Sequence, residues 1–226
     1  MRENDPSELQ RIYQRRFGPT AAYRLRVWRM LTREFFSRWI SPESEVLDLG
    51  AGYGEFINNI HCRKRYALDL NPDAPSHLDP AVNFVQHDCS QPWPLPPESV
   101  DVVFTSNFFE HLPDKTALSR TLVQAFRTLR SGGRLIAMGP NIKYLPGSYW
   151  DFFDHHTALT ELSLGEGMEI AGFAIEKSVP RFLPYTLVNA PEYPLALLRV
   201  YLALPFLWWI KGRQFLVIGR KETRSH

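Results

Sequence analysis

Cysteine is almost missing: Cys62 and Cys89 are the two in a chain of 226 residues. Neither sits in a closely spaced pair. A disulfide framework and a zinc site are therefore not expected, no metal is expected, and a reducing cytoplasm fits. An excess of one charge is lacking too. The formal net charge of +2 is too small to argue for a nucleic-acid partner. The opening "MRENDPSELQ" is polar and charged, so no secretory signal is expected there. The longest apolar stretch, Pro194 to Arg213, is interrupted by Arg199 and Pro205. Its apolar core is barely long enough for a bilayer, which argues against a spanning helix. Internal repeats and low-complexity tails are absent as well.

What remains is ordinary globular material, 44% hydrophobic and 22% charged, enough for a sizeable core. The length suits one large domain with additions. Tyr23, Val27, Met30, Leu31, Phe35 and Trp39 recur at three- and four-residue steps, which predicts a helix over Arg11 to Trp39. Arginines fill much of its other face, as a solvated surface or as a cap that greets an anionic substrate.

From Glu45 the pattern changes. "EVLDLG", "YALDL", "VNFVQ", "VDVVFTS" and "RLIAMGP" read as five buried strands. Between the last two, Leu118, Leu122, Phe126 and Leu129 make a helical stripe with Gly132 as its stop. "QPWPLPP" is a stiff loop. "TALTELSLGEGMEIAGF" reads as a helix with a glycine exit, and "AIEKSVPRF" and "QFLVIGRKE" as two closing strands. Alternation of strands and helices predicts a mostly parallel sheet covered on both faces.

The chemistry-bearing stretch is "VLDLGAGYGEF", Val46 to Phe56. Gly50, Gly52 and Gly54 allow a sharp turn at the tip of the first strand and let a ligand approach the main chain. "EFINNI" can start a helix whose free N–H groups favour an anion. The loop alone admits a nucleotide or a carboxylate. Its G-x-G-x-G spacing differs from the G-x-G-x-x-G dinucleotide fingerprint. Asp69 ends the second strand, where it can accept two ribose hydroxyls. Asp88 ends the third, where an adenine amino group would lie, and "TSNFFEHL" ends the fourth. These tips share the crevice in which open α/β sheets bind ligands.

"VLDLGAGYGEF", "YALDLNPD", "HDCSQPWPLPPESVDVVFTSNFFEHL" and "LRSGGRLIAMGPN" together resemble the class I S-adenosylmethionine-dependent methyltransferases, in the group that methylates small molecules and glycans. They cover most of Glu45 to Asn141 in that family's order. The resemblance implies an α/β, doubly wound, Rossmann-like, seven-stranded and mostly parallel sheet with an antiparallel last strand. An N-terminal helical cap over 1–40, a cofactor-binding core over 41–181, an apolar helical insertion over 182–211 and a last strand and tail over 212–226 would form one domain. The resemblance assigns roles too. Asp48 with Gly50, Ala51, Gly52 and Gly54 would hold the methionine part of S-adenosyl-L-methionine. Asp69 would take the ribose, Leu70 would lie against the adenine, Asp88 and Cys89 would flank the base, and Asn107 and Phe108 would lie near the sulfonium.

Methyl transfer from a sulfonium is an in-line displacement, and positioning alone can supply about 7–11 kcal/mol. A hydroxyl acceptor also needs a proton acceptor. His155 and His156 follow Asp151 and Asp154, and an Asp–His pair makes a sensible base. His111 ranks lower because in the resembling family it belongs to the loop structure. "SNFFEH" stands where base-amine methyltransferases carry an Asn/Asp-Pro-Pro-aromatic signature, and no cysteine follows a proline. Both absences favour an oxygen on a small molecule, sugar or lipid-linked glycan. The competing functions are an NAD(P)-binding oxidoreductase and a non-catalytic S-adenosylmethionine-binding protein. The stretch 194–213 is expected to cover the pocket or the sheet, to form a dimer contact, or to rest at a membrane interface with Trp208 and Trp209 at headgroup level.

Overall fold

The structure is a computed structural model that describes residues 21–185 and 192–222. The expected helical positions 11–20 and the insertion residues 186–191 lie outside the described residues.

Seven strands form one sheet: β1 (Glu45–Leu49), β2 (Lys64–Asp69), β3 (Val82–Gln86), β4 (Val100–Ser106), β5 (Leu129–Pro140), β6 (Phe173–Val179) and β7 (Gln214–Lys221). Their order is β3-β2-β1-β4-β5-β7-β6. The pairs from β3 through β5 are parallel. Strand β7 runs antiparallel to both β5 and β6. The chain winds outward from β1 to β3 and then crosses back to β4. A crevice therefore opens beyond the carboxyl ends of β1 and β4.

The central strands are apolar on both faces, and each face has its own cover. Val46, Phe104, Ile136 and Leu216 face a cluster containing Trp28, Phe35 and Phe36 from the N-terminal helix α1 (Ala21–Met30) and its extension. Leu47, Val103, Leu135 and Val217 face Leu118 and Leu122 of α2 (Lys115–Thr128) and Leu164 of α3 (Glu161–Ile170). Each such side chain contributes about 1.5–3 kcal/mol when fully buried. Among the described residues two further α-helices, α4 (Leu195–Ala203) and α5 (Pro205–Lys211), lie in the connection from β6 to β7.

Three local expectations need correction. The N-terminal helix is α-helical only to Met30, then widens to a π-turn over Leu31–Phe35 and tightens to a 3-10 turn over Phe36–Arg38. Neighbouring residues on a regular α-helix point about 100° apart, yet Phe35 and Phe36 are both fully buried. The change of winding turns both rings inward, Phe35 onto Phe182 at 4.6 Å and Phe36 onto Phe104 at 5.0 Å between centroids. The Thr32 hydroxyl also donates back to the Trp28 carbonyl at 2.9 Å, a bond that bends helices. Second, Gly132 does not stop α2. That helix ends at Thr128, and Gly132 sits inside β5 at φ +80°, near the irregular pairing of β4 with β5. Third, residues 51–60 form consecutive turns rather than a regular helix, although Asn58 N–H still reaches Gly54 O at 2.9 Å and Ile60 N–H reaches Phe56 O at 3.0 Å.

Candidate active site

The glycine loop leaves β1 with Gly50, Gly52 and Gly54 all at positive φ, +70°, +52° and +74°. At Gly50 the reason is also steric. A Cβ there would lie 2.3 Å from the Phe108 ring, so the main chain and the ring can meet only because the side chain is missing. Ala51 is buried beside them. Asn107, at the tip of β4, holds φ +49°. Its amide donates to Met138 O at 2.9 Å, and its side chain is exposed. Left-handed backbone at such a tip is where asparagine is tolerated and where functional loops store strain.

Asp69 joins the first two strand tips. Its Oδ2 accepts the Gly52 amide and its Oδ1 the Asn71 amide, each at 2.8 Å. A carboxylate has about four acceptor sites, so after these amides it still has capacity for a hydroxyl donor. Burial raises the Asp69 pKa, while the Asn71, Gly52 and Leu70 amides and the charge of His111 pull it down. Hydroxyl donors would favour the charged form further. Beside it the buried Asn71 Nδ2 meets no acceptor in the structure, so a donor stands ready for a polar guest. Leu70 is half-buried next to them.

Asp48 is buried in β1, and its pKa is raised well above the usual carboxylate value. Burial is the main cause, and the charges of Glu55 and Asp69 add to it. Three acids thus crowd one glycine loop, with Arg24 on Glu55 at 2.6 Å as the counter-charge from α1. Such a loop disfavours a pyrophosphate. It suits a ligand carrying cations, and S-adenosyl-L-methionine has two, the sulfonium and the amino group. Its residues fit that cofactor.

The third strand tip behaves differently. Asp88 Oδ1 accepts the Ser90 amide at 2.8 Å and shapes the turn. Cys89 is buried against α2, where Thr121 donates to its Sγ at 3.6 Å. Burial pushes its thiol up to about 12, so it is inert rather than nucleophilic.

Across the crevice lies the segment after β5. Here an Asp–His pair includes His111. Asp154 holds His111, whose Nδ1 lies 2.9 Å from the Asp154 carbonyl and 3.2 Å from its Oδ2. Both neighbours are acceptors, so Nδ1 carries the proton and Nε2 keeps its lone pair. Burial works to lower the His111 pKa, but the Asp154 hydrogen bond and the charges of Glu110 and Asp154 outweigh it and raise it. The His111 side chain is 27% exposed. His155 is 8% exposed and packs its ring on Phe152 at 5.0 Å. His156 is exposed, and its amide donates to the Glu110 carbonyl at 2.8 Å. Glu110 is itself buried, which pushes its carboxyl up to about 7.

Sequence reasoning missed the groups that pin this segment. Tyr149 is fully buried and donates to Thr157 O, and Thr157 donates to Leu112 O, both at 2.7 Å. Asn141 Nδ2 donates to Glu161 Oε2 at 2.6 Å, and Lys143 meets the other oxygen at 2.8 Å. Glu110, His111 and His155 also bring their donor atoms within 4.8 Å of one another, a grouping invisible in a linear reading.

A doubly wound sheet of this strand order, with an acid-ringed glycine loop and a ribose-type acid on the next strand, defines an adenosyl-sulfonium methyltransferase fold. The methyltransferase-domain family model matches residues 20–178, and the chain belongs to that family, whose cofactor is S-adenosyl-L-methionine. A probable S-adenosylmethionine-dependent methyltransferase of Mycolicibacterium smegmatis is 33% identical over 145 residues, 61% of this chain and 55% of that one. The sarcosine/dimethylglycine N-methyltransferase of Halorhodospira halochloris is 32% identical over 119 residues, 46% of this chain and 40% of its own. The chain thus spans about half the length of the curated relatives it matches. Among solved structures, a SAM-dependent methyltransferase of Archaeoglobus fulgidus superposes with a TM-score of 0.64 at 22% identity, covering 88% of this chain and 94% of its own.

Proposed function

We propose that the chain transfers a methyl group from S-adenosyl-L-methionine to a hydroxyl of a small molecule, sugar or lipid-linked glycan. The observation that carries the hydroxyl assignment is the Asp154–His111 pair, whose Nδ1 is engaged by two acceptors, which leaves Nε2 as the nitrogen that can take a proton. When bound, the cofactor supplies an electrophilic methyl group and a neutral leaving group. Asp69 and the Gly50–Gly54 loop fix its adenosyl and methionine parts. The acceptor oxygen must then lie in line with the methyl–sulfur bond. As the oxygen attacks, His111 takes its proton at Nε2 and Asp154 stabilises the resulting imidazolium. His155 keeps the loop in place beside them. Only neutral His111 can act, so turnover rises with pH through a midpoint above the ordinary histidine value.

This reading uses no metal ion. An amine acceptor is the second reading, favoured by the Halorhodospira relative named for an N-methyltransferase. The test pairs calorimetry with product analysis. S-adenosylhomocysteine should bind and NADH should not. With methyl-labelled cofactor, methyl glycosides and polyprenyl-linked sugars should gain a methyl ether, and chelators should leave the rate unchanged. Label appearing on sarcosine instead would replace the hydroxyl reading, and heat from NADH alone would remove the cofactor assignment.

A further inference from the structure

Strand β6 ends at Val179 opposite Leu216, and β7 begins at Gln214 opposite Pro140. The connection between them therefore leaves and re-enters the sheet at its carboxyl edge, the edge that carries the glycine loop and His111. Its two helices are apolar on both sides. Leu202 and Trp208 face inward and are buried in the core beside Phe35 and Phe182. Leu197, Val200, Phe206, Trp209 and Ile210 face outward and are at least half exposed. A helix apolar all round is at rest only in apolar surroundings, and among the described residues nothing covers this outer side.

The face is tied to α1 and its extension, and to itself. Arg199 clasps Glu34 at 2.6 Å, Arg26 reaches Glu192 at 2.8 Å, and the Trp208 indole donates to Tyr201 O at 2.8 Å. The segment from Pro194 to Arg213 contains Arg199, Lys211 and Arg213 and no acidic residue. At the same sheet edge Phe153 is 92% exposed in the loop that carries Asp154. Two short helices cannot cross a bilayer. At 1.5 Å per residue each spans about 10–14 Å against a core of about 30 Å, and no described helix is long and apolar enough to do so.

We propose that the outer face of α4 and α5 is a docking surface for an anionic lipid bilayer, entered to headgroup depth by Phe206, Trp209 and Ile210. Lys211 and Arg213 meet the lipid phosphates there. The crevice then opens toward acceptors anchored in the same membrane. That last step rests on the hydroxyl-transfer reading; the surface itself does not. A bilayer is the occupant because its phosphates complement Lys211 and Arg213, whereas Glu34 and Glu192, the acids beside the face, are already paired with Arg199 and Arg26 and leave a second copy little to offer those cations.

The test floats the full chain on vesicles of phosphatidylcholine with and without phosphatidylglycerol, with no cofactor or acceptor present. The chain should float with the anionic vesicles, and raised salt should release it. Phe206→Ser, Trp209→Ser and Ile210→Ser should each cut the partition coefficient roughly tenfold, and Lys211→Glu should cut it less. These side chains point away from the core, so unfolding temperatures should not change. Trp209→Phe should keep binding but reduce the blue shift of tryptophan emission. Protein left at the bottom with both vesicle types overturns the proposal. So does equal flotation on neutral vesicles, or a dimer in sedimentation that Trp209→Ser dissolves. Methyl transfer to a soluble sugar would survive any of these failures, and vesicle binding would survive the loss of methyl transfer.

Discussion

Along the carboxyl edge of the sheet, Gly50 to Asn71 and Asn141 to Thr157 use their polar groups in opposite ways. In the first stretch the main chain does the holding. The Gly50 amide donates to Leu68 O at 2.9 Å, and the Gly52 and Asn71 amides converge on Asp69. In the second, side chains reach far along the sequence. His111 is tied to Asp154 across 43 positions, and Thr157 to Leu112 across 45. A backbone cradle suits a ligand that all members of a family share, which under the proposed function is the adenosyl cofactor. A cradle of side chains can be rebuilt by a few substitutions, and this is where an acceptor would be selected.

The largest expected effect separates the two halves outright. His111→Gln and Asp154→Asn should lower kcat by roughly 10²–10⁴-fold, with S-adenosylhomocysteine affinity unchanged in calorimetry. A matching loss of affinity would dissolve the distinction between cofactor side and acceptor side. Next comes the cradle. Gly50→Ala must place a Cβ against Phe108 at a positive φ, and S-adenosylhomocysteine should bind roughly a hundredfold more weakly, about 2.7 kcal/mol. Phe108→Ala in the same chain should restore part of that loss, since it removes the ring contacts at 2.3 and 2.4 Å but keeps the Phe108 Cβ at 2.9 Å and the backbone strain. Asp69→Asn follows. A charge-assisted hydrogen bond contributes about 1.5–3 kcal/mol, so affinity should fall roughly ten- to hundredfold, while turnover at saturating cofactor should change little.

The smallest effect is one of pH. Glu110 titrates at about 7 in the fold rather than at the ordinary 4.5. Between those values the native chain keeps a proton that the unfolded chain has lost, so stability falls as pH rises through them. His111 is raised as well and acts in the same direction above its ordinary value of 6.5. The unfolding temperature should therefore decline from about pH 5 to pH 8, and Glu110→Gln should flatten the acidic part of that decline. A profile identical to that of the unaltered chain would mean that Glu110 is ionised throughout.

The sheet was legible because alternation and glycine placement are local signals. "EVLDL" and "VDVVFTS" can hardly be anything but buried parallel strands, and Asp69 follows from its place at a strand end. The π-turn was not legible, since nothing near Phe35 and Phe36 announces that Phe182 and Phe104 will draw both rings inward. Gly132 misled because a glycine after a helical stripe usually ends the helix, whereas here Leu129 is drawn into β5 opposite Val100. The acid–imidazole pair was readable as a type but not as a partnership. Asp154 precedes His155 and His156 in sequence, yet the fold returns it to His111 beneath the tip of β4.

Strand β7 comes last in the described chain and lies between two strands made earlier, with Phe215, Leu216, Val217 and Ile218 sealed from water. During synthesis β5 waits for that keystone with one open edge, and β6 waits with no partner strand, until Lys221 has left the ribosome. The half of the domain that would greet the acceptor is thus the last to become solid.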